Sequence, residues 1–380
     1  MMIRLIPLIA LLLLCSVNLL NSLSWDSRAL AFVPERAPTS EAPISLQLQS
    51  DHFISAGLTP SVHVASAIAL PNQEILAFWY GGTREGHRDV NLYQARYNIA
   101  EDRWSEPSTL YTLADAQQQL GRYVKKLGNA SISVMNGRLY LSFVTVSIGG
   151  WATAHLNMMM SDDLGRNWTQ AERLVTSPFW NISTLTRNRG FAMADKQVLA
   201  LPVYQELAHV RPEFLYLDSQ GQVLSKHRST SDVYALAPVA IPTSEHSAQL
   251  FARPDTTSSV LSVAVNAQGR QTSATKATDI VNPNASLDAI ALQDGSWLMV
   301  TNDRQHDRLR LSLYRSVNQG EDWQRVYVVE EELELPEGEK AEFSYPWLVQ
   351  DFIGQIHVFY TWKRKEIRHQ VLVKFPWEVS

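Results

Sequence analysis

Cysteine is almost absent from this chain, and that absence limits how the fold can be held together. Among the 380 residues only Cys15 is a cysteine, and it lies in an apolar stretch near the N-terminus. A disulfide framework and a thiolate metal site are therefore excluded from the remainder of the sequence. No H-E-x-x-H motif or EF-hand loop occurs either, so we expect no required metal.

Basic clusters and nucleotide-binding motifs are also missing. The chain has 33 Lys and Arg against 38 Asp and Glu, a net charge of -5, and no basic block. We therefore expect no nucleic-acid partner. No P-loop is present, and the glycine-rich residues 81–86 lack both the spacing and the following helix of a dinucleotide fingerprint. No cofactor is predicted.

Helical periodicity longer than two turns is not found, whereas short alternating runs bounded by turn residues recur throughout the sequence. Hydrophobic residues make up 45% of the chain, which is enough for a large core. This pattern predicts an all-β protein.

The N-terminus has the pattern of an export segment. Arg4 precedes an apolar run over residues 5–17 that has about the length of a signal-peptide core. Residues 29–31 offer a small-x-small cleavage site, whereas residues 5–20 form a marginal membrane span. Residues 1–31 are therefore predicted as a signal peptide or, alternatively, an N-terminal membrane anchor. Either alternative implies an exported protein, periplasmic or extracellular.

Two domain-level regions follow the export segment. Residues 32–44 contain Pro34, Pro38 and Pro43 among Ser, Thr and Glu, and predict an extended linker. Residues 45–380 show one kind of pattern to the C-terminus and are assigned to a single domain.

An internal repeat runs through that domain. The octapeptide SDDLGRNW at residues 161–168 returns as SVNQGEDW at 316–323, and Asn-Ala-Ser at 129–131 returns at 284–286, an offset of 155 residues in both cases. Propeller blades of about 40 to 50 residues fit three times into that offset. Six blades are predicted, which begin near His63, Asn129, Ser183, Pro238, Asn284 and Tyr345. We expect residues 44–53 to close the ring by pairing with residues 368–374.

The repeated octapeptides have a structural explanation. In the pattern S-x-D/N-x-G-x-x-W, the serine and the acid or amide hydrogen-bond a tight hairpin, and glycine takes the positive φ. The tryptophan is expected to pack between neighbouring sheets.

On these motifs, residues 45–380 resemble the sialidase (neuraminidase) superfamily, specifically bacterial sialidase-like proteins with Asp-box repeats. The resemblance implies a six-bladed β-propeller with a sugar site at one face. The topology leads to the same face independently, because each inner strand begins where the strand paired with it ends, next to the axis. Polar residues at those positions should converge there.

The resemblance also implies roles for individual residues. Sialidases bind the sugar carboxylate with arginines, which suit planar anions, and use a neutral tyrosine as nucleophile. Tyr345 is predicted as the nucleophile, Glu206 as its helper, and Asp89 or Glu85 as the acid/base. The remaining candidates are predicted to bind substrate: Arg253 and Arg304 as anion clamps, with His63, Arg84, Asn129, Asn284 and Asp303.

The sequence departs from the family pattern at two positions. Where the family has an arginine followed by Ile-Pro, this chain has His63-Val64-Ala65. The blade-four segment that should supply a glutamate reads Leu-Ala-Pro-Val at residues 236–239, which leaves Glu206 or Glu342 to replace it. Another anionic sugar, such as a uronic acid, therefore stays open as the substrate.

Three functions remain as alternatives. The first is a monomeric exo-sialidase-type glycoside hydrolase that acts on a glycan with a carboxylated sugar. The second is a polysaccharide lyase, in which His63, Tyr345 and the arginines perform β-elimination on a uronate. The third is a carbohydrate-binding propeller without catalysis.

Overall fold

A computed structural model shows the protein as six antiparallel β-sheets arranged in a ring. Each sheet has four or five strands, and consecutive sheets pack through their innermost strands around a central axis. The predicted all-β, six-bladed propeller is confirmed. The structure describes residues 16, 29–38, 42–177, 181–207, 209–230, 232–256, 258–333 and 342–376.

Blades one to three follow one another along the chain, and the strands of each run outwards from the axis. The first strand, β1 (Ile44–Phe53), belongs to the last blade. Blade one contains β2 (Ser61–Leu70), β3 (Glu74–Gly82), β4 (Asn91–Asn98), β5 (Arg103–Trp104) and β6 (Ser108–Tyr111). Blade two contains β7 (Lys126–Met135), β8 (Arg138–Val146), β9 (Ala154–Ser161) and β10 (Glu172–Arg173). Blade three contains β11 (Leu185–Thr186), β12 (Phe191–Ala192), β13 (Val198–Gln205), β14 (Arg211–Asp218) and β15 (Val223–Arg228).

Blades four to six repeat the same order. Blade four contains β16 (Ala235–Ser244), β17 (Ser247–Pro254), β18 (Ser258–Asn266) and β19 (Lys276–Asn282). Blade five contains β20 (Asp288–Ala291), β21 (Trp297–Asn302), β22 (Arg310–Ser316) and β23 (Gln324–Glu331). Blade six contains β24 (Phe343–Gln350), β25 (Ile356–Trp362) and β26 (Glu366–Pro376), with β1 as its outermost strand.

Helical structure is short in the part of the chain that the structure describes. The helix α1 (Leu113–Gln119) joins blades one and two, and Thr112 and Asp115 cap its N-terminus with reciprocal hydrogen bonds. A 3-10 turn covers Trp151–Thr153. Within the described residues, no helix is both long and apolar enough for a membrane crossing.

The ring is closed by pairing between the two ends of the domain. Strand β1 runs antiparallel to β26, from Ile44 opposite Pro376 to Phe53 opposite Arg368. The predicted closure of residues 44–53 with 368–374 is therefore confirmed. It leaves the last sheet with a full set of strands and joins the N-terminal part of the domain to blade six.

The first octapeptide forms the predicted hairpin. The hydroxyl of Ser161 donates to Asp163 at 2.8 Å and accepts from the N–H of Gly165 at 2.9 Å. Gly165 has φ +76°, which favours glycine. Trp168 packs at the edge of Phe78 in blade one, with 5.7 Å between ring centroids. The hairpin thus joins two neighbouring blades.

The second octapeptide repeats this arrangement in blade five. The hydroxyl of Ser316 donates to Asn318 at 2.9 Å and accepts from the N–H of Gly320 at 2.8 Å. Trp323 packs on Phe251 of blade four, with 5.5 Å between centroids. Both octapeptides therefore connect adjacent sheets through the packing of their tryptophans.

Four inner strands carry a β-bulge near the end at which they begin, and in three of them the bulge contains a non-glycine residue with positive φ. Strands β2, β7, β16 and β24 shift register against their neighbours. The shifted segments of β2, β16 and β24 contain Val64, Ala237 and Tyr345, whose φ angles are +55°, +46° and +51°. Non-glycine residues rarely adopt this conformation, and bulges re-aim a side chain next to functional sites. Tyr345 is therefore held in an unusual backbone conformation.

The predicted linker packs against the propeller where the structure describes it. Phe32 is fully buried, its N–H donates to Glu245 at 2.9 Å, and the N–H of Glu35 donates to Pro242 at 3.2 Å. Both acceptors lie at the β16–β17 hairpin, at the face opposite the start of the inner strands. Apart from residues 16 and 29–31, the predicted export segment lies outside the described residues.

Candidate functional site

The face at which the inner strands begin collects most of the predicted residues. Strand pairing places His63 opposite Tyr80 in blade one and Leu236 opposite Arg253 in blade four. Tyr345 lies in the bulge of β24. The starts of inner strands and the ends of their neighbours thus meet at this face, which we call the axial face.

Tyr345 and His63 are in direct contact at the axis. Their ring centroids are 4.5 Å apart and the ring planes meet at 75°. Tyr80 also packs against the imidazole, with centroids 5.8 Å apart at 85°. His63 is only 1% exposed, so its ring is enclosed by aromatic neighbours from blades one and six.

A buried arginine, Arg187, lies next to the ring of Tyr345. The inner strand of blade three is broken between β11 and β12, and Arg187 to Gly190 cross towards the axis in that gap. Arg187 is 1% exposed, and its Nη2 donates to the carbonyl of Pro346 at 2.7 Å. Its guanidinium carbon lies 5.6 Å from the Tyr345 ring centroid and 5.5 Å from that of Trp347. Burial lowers the pKa of Arg187 to about 10, so it stays charged at neutral pH.

The crossing segment is fixed by hydrogen bonds from both adjacent blades. The side-chain amide of Asn188 donates to the carbonyls of Ala237 and Pro238 at 3.0 Å. The hydroxyl of Ser131 donates to the carbonyl of Asn188 at 2.7 Å. These bonds pre-organise Arg187 before any ligand arrives.

An ion-pair chain forms one wall of the site. Glu85 of blade one pairs with Arg364 of blade six at 2.9 Å. Arg364 also pairs with Glu342 at 2.8 Å, and Glu342 pairs with Arg308 of blade five at 3.0 Å. Glu342 therefore lies between two arginines, and Glu85 is joined to one of them, Arg364.

The wall continues into blade four through an asparagine. Arg308 donates to the backbone carbonyl of Asn284 at 2.7 Å, and the Nε of Arg253 donates to its side-chain oxygen at 2.5 Å. The side-chain amide of Asn284 donates to the carbonyl of Asp255 at 2.8 Å. Asn284 thus orients two arginines, and Arg253 has no ion pair with any described carboxylate.

The imidazole of His63 is neutral in this environment. Burial, followed by the nearby charges of Arg364, Arg308 and Arg187, holds its pKa well below the ordinary value. Neither ring nitrogen has a hydrogen-bond partner among the described residues, and Glu85 Oε2 lies 3.9 Å from Nε2. Two buried and unpaired nitrogens are therefore available for proton transfer or hydrogen bonding.

The carboxylates at the axial face differ in their electrostatics. Burial raises the pKa of Glu206, although Arg253 opposes the shift. Hydrogen bonds from Thr83 and His87 instead lower the pKa of the exposed Asp89 to about 2. Asp89 accepts from the hydroxyl of Thr83 at 2.6 Å and structures the blade-one loop. Glu206 is thus suited to hold a proton, and Asp89 to stay ionised.

Other predicted residues have neighbours elsewhere. Arg304 donates to the carbonyl of Glu332 at 2.9 Å and pairs with Asp307 at 3.2 Å. Asp303 is 7% exposed and pairs with Arg310 at 2.7 Å. These contacts all lie within blade five, and none of the described contacts joins Arg304 or Asp303 to Tyr345, His63 or Arg253.

The last two predicted residues lie in blades one and two. Arg84 is exposed on the loop after β3. The side-chain amide of Asn129 donates to the carbonyl of Thr186 at 3.1 Å and to the hydroxyl of Tyr204 at 3.5 Å. Asn129 therefore joins blades two and three at the axial face. No group of His, Cys, Asp and Glu among the described residues has the arrangement of a metal site.

Arg187 and Arg308 are arginines at this face that the sequence pattern does not predict. Arg187 lies in a strand gap, and its only signal is a charged T-R-N-R-G run inside a buried segment. Arg308 lies four residues after Arg304 in the same loop. Loop conformation decides which of the two reaches the site, and no periodic pattern encodes it.

Comparisons with known proteins agree with the fold. A family model described as a BNR repeat-like domain matches residues 73–358. No curated protein matches the chain in sequence. A Hadza microbial sialidase has a TM-score of 0.69 at 14% identity, over 85% of this chain and 68% of that one. The intramolecular trans-sialidase of Ruminococcus gnavus has a TM-score of 0.64 at 14% identity, over 85% and 96%. The NanB sialidase of Streptococcus pneumoniae has a TM-score of 0.64 at 12% identity, over 92% and 71%.

Proposed function

The chain belongs to the BNR repeat-like domain family, and from that premise we propose that it is a glycoside hydrolase that releases a terminal acidic sugar. One observation carries the proposal. A tyrosine at the propeller axis is surrounded by arginines from blades three to six, and two of them, Arg187 and Arg253, have no ion pair with any described carboxylate. Uncompensated guanidinium groups favour a carboxylated sugar.

Tyr345 is the proposed nucleophile, and Glu206, which the sequence predicts as its helper, is proposed as the acid/base in place of Asp89 or Glu85. The phenolic oxygen of Tyr345 gives its proton to a neighbouring base and attacks the anomeric carbon, while the bond to the leaving oxygen breaks and Glu206 protonates that oxygen. Water then attacks the anomeric carbon, Glu206 takes a proton from that water, the bond to Tyr345 breaks, and the phenolate recovers its proton from the same base. The pKa of Glu206 is raised by burial, which suits a residue that first donates and then accepts a proton.

A tyrosine suits this substrate class better than a carboxylate. The substrate brings its own negative charge to the carbon that is attacked, and an anionic nucleophile would be repelled. A phenol brings no carboxylate charge to the attack, and the charge of Arg187 lies 5.6 Å from the Tyr345 ring. That charge favours the phenolate character that develops in the transition state.

The test is a panel of aryl glycosides incubated with the purified protein. The panel contains a sialic acid, a glucuronic acid, a galacturonic acid and the matching neutral sugars. We expect release from at least one acidic member, no release from the neutral ones, and no release by the Tyr345→Phe variant. Release from neutral sugars alone, or full activity of Tyr345→Phe, contradicts the proposal.

A lyase is the second candidate, because a specific contact favours it. The neutral His63 touches Tyr345 at 4.5 Å between ring centroids, and a base beside a tyrosine is what β-elimination from a uronate requires. A lyase leaves an unsaturated, ultraviolet-absorbing product end, and a hydrolase does not. Mass spectrometry of a digested uronate polysaccharide separates the two.

Binding without catalysis is distinguished by the same variant. A binding propeller would hold an acidic glycan equally well before and after Tyr345→Phe and would turn over neither substrate. Export, membrane attachment and a monomeric state remain predictions. They are tested by localising the full-length chain in cell fractions and by light scattering of the propeller.

A further inference from the structure

Tyr345 has no carboxylate partner in the part of the chain that the structure describes. Blade four contributes Leu236 and Ala237 where an acid would be needed. Glu342, two blades further along the chain, is held by Arg308 and Arg364. The side chain that contacts the tyrosine ring and could accept a proton is His63.

We propose that His63 takes the phenolic proton of Tyr345 during nucleophilic attack. This inference rests on the hydrolase function proposed above. As the bond from the phenolic oxygen to the anomeric carbon forms, the proton passes to His63, while Glu206 protonates the leaving oxygen. In the second step Glu206 takes a proton from water, the bond to Tyr345 breaks, and His63 returns its proton to the phenolate.

The surroundings of His63 fit this role. It faces Tyr80 of β3, Tyr345 of β24 and Glu85 of the loop after β3. The charges that act on it from blades three, five and six belong to Arg187, Arg308 and Arg364. Neither nitrogen of this neutral ring is hydrogen-bonded to a described residue, so the lone pair of one of them is free to accept a proton.

The same surroundings make the base depend on the substrate. In the empty site the three arginines disfavour an imidazolium, so the proton transfer is costly. A sugar carboxylate bound among those arginines offsets their charge and raises the basicity of His63. A bound acidic sugar therefore makes His63 a stronger base for the attack of Tyr345 on that sugar. A neutral sugar of the same shape does not have this effect.

The experiment measures the reactivity of Tyr345 directly, without sugar turnover. A small aryl sulfonyl fluoride forms a bond to a phenolate oxygen with loss of fluoride, and peptide mapping by mass spectrometry locates the adduct. We expect the wild-type rate at Tyr345 to fall as pH is lowered through the pKa of His63. In His63→Gln this inflection disappears, and the rate at neutral pH falls by at least about tenfold. Arg304→Gln, a change outside the site, serves as the matched control.

A second variant keeps the test decisive if His63→Gln does not fold. Glu85→Gln removes the negative charge that lies 3.9 Å from Nε2 and leaves the ring in place. The inflection must then move to lower pH, because the imidazolium has lost a favourable neighbour. An unchanged inflection in Glu85→Gln overturns the inference.

The outcomes separate this inference from the function on which it rests. The inference is also overturned if wild-type Tyr345 does not react, if His63→Gln keeps the inflection, or if Glu206→Gln removes it. If the probe behaves as expected but no acidic sugar is hydrolysed, the proposed function fails and the proton transfer stands. If acidic sugars are hydrolysed but the probe rates do not depend on His63, the proposed function stands and the proton transfer to His63 fails.

Discussion

His357 Nδ1 lies 2.9 Å from His369 Nε2 inside blade six, and both rings are fully buried. Trp104 of blade one donates to Nδ1 of His369 at 3.1 Å, and Asp351 accepts at 3.2 Å from Nε2 of His357. One pair of tautomers satisfies all of these contacts: the Nε2–H of His369 donates to His357, and the Nε2–H of His357 donates to Asp351. Both rings are neutral in that arrangement.

We predict that acidification destabilises the closed propeller through this pair. Burial lowers the pKa of His357 and lowers that of His369 well below the ordinary value. The unfolded chain therefore binds more protons below about pH 6.5. Stability present above that pH is lost as pH falls towards the folded-state values, at most about 1.4 kcal/mol per pH unit for each histidine. Thermal melts between pH 8 and pH 5 measure the loss.

The matched variant for this prediction is His369→Phe. Phe359 already stacks on His369 at 4.4 Å between centroids, so an aromatic ring fits the packing. The variant should be less stable at pH 8, because Trp104 loses its acceptor, and should lose less stability than the wild type on acidification. A parallel pH dependence of the two proteins would contradict the account.

The second prediction compares two glycines that share a backbone conformation. Gly320 and Gly137 have φ of +85° and +78°. A Cβ added at Gly320 would lie 2.6 Å from the Phe251 ring, whereas a Cβ added at Gly137 would have no neighbouring atom within 4 Å. Gly137→Ala should cost about 1–2 kcal/mol from the left-handed conformation alone. Gly320→Ala should cost about 1–3 kcal/mol more, from overpacking between blades. Urea denaturation measures the loss of unfolding free energy in both variants. Equal losses would mean that the hairpin does not hold blades four and five together.

The third prediction uses two arginines that the sequence does not distinguish. Arg253 contacts Asn284 at the axial face, whereas Arg304 binds Glu332 and Asp307 within blade five. Arg253→Gln should raise KM for an acidic sugar by about 10- to 150-fold, the loss of one charged hydrogen bond worth about 1.5–3 kcal/mol. Arg304→Gln should leave KM unchanged. Steady-state kinetics of the two variants measure KM. A larger rise in KM for Arg304→Gln than for Arg253→Gln would mean that the sugar carboxylate binds at Arg304 instead.

The fourth prediction concerns the pH profile of Glu206→Gln. A general acid must be protonated to act, so wild-type activity should fall as pH rises through the raised pKa of Glu206. The variant should lose that alkaline limb and about 10²- to 10⁴-fold in kcat with a poor leaving group. A good leaving group needs little protonation, so its kcat should fall much less. Equal losses on both substrates would remove Glu206 from the acid role.

The architecture could be predicted because it repeats. Two landmarks at one offset, Ser161 with Ser316 and Asn129 with Asn284, identify the period, and turn residues place the strands within each unit. The strand that follows the second octapeptide is observed as Gln324–Glu331. The landmarks and turn residues recur along the sequence with the period of the blades, so the strand order and the ring closure can be predicted from that period.

The candidate site could be predicted only in part, because it is built where the repeat breaks. His63 and Tyr345 were found because they begin inner strands, and position in the repeat is enough to place them. Arg187 lies in the gap of a broken strand, and Arg308 reaches the wall from a loop. Which residue of a loop faces the axis depends on tertiary contacts such as the carbonyls of Ala237 and Pro238, which bind Asn188.

The central claim is that Tyr345 attacks an acidic sugar, and trapping the intermediate tests it most directly. An acidic sugar with a fluorine leaving group and a second fluorine beside the anomeric carbon forms the glycosyl-enzyme quickly and releases it slowly. We predict one sugar adduct per chain, mapped by mass spectrometry to Tyr345 and absent from Tyr345→Phe. Turnover of the acidic sugar with the adduct on Glu85, Glu206 or Glu342 would contradict the account.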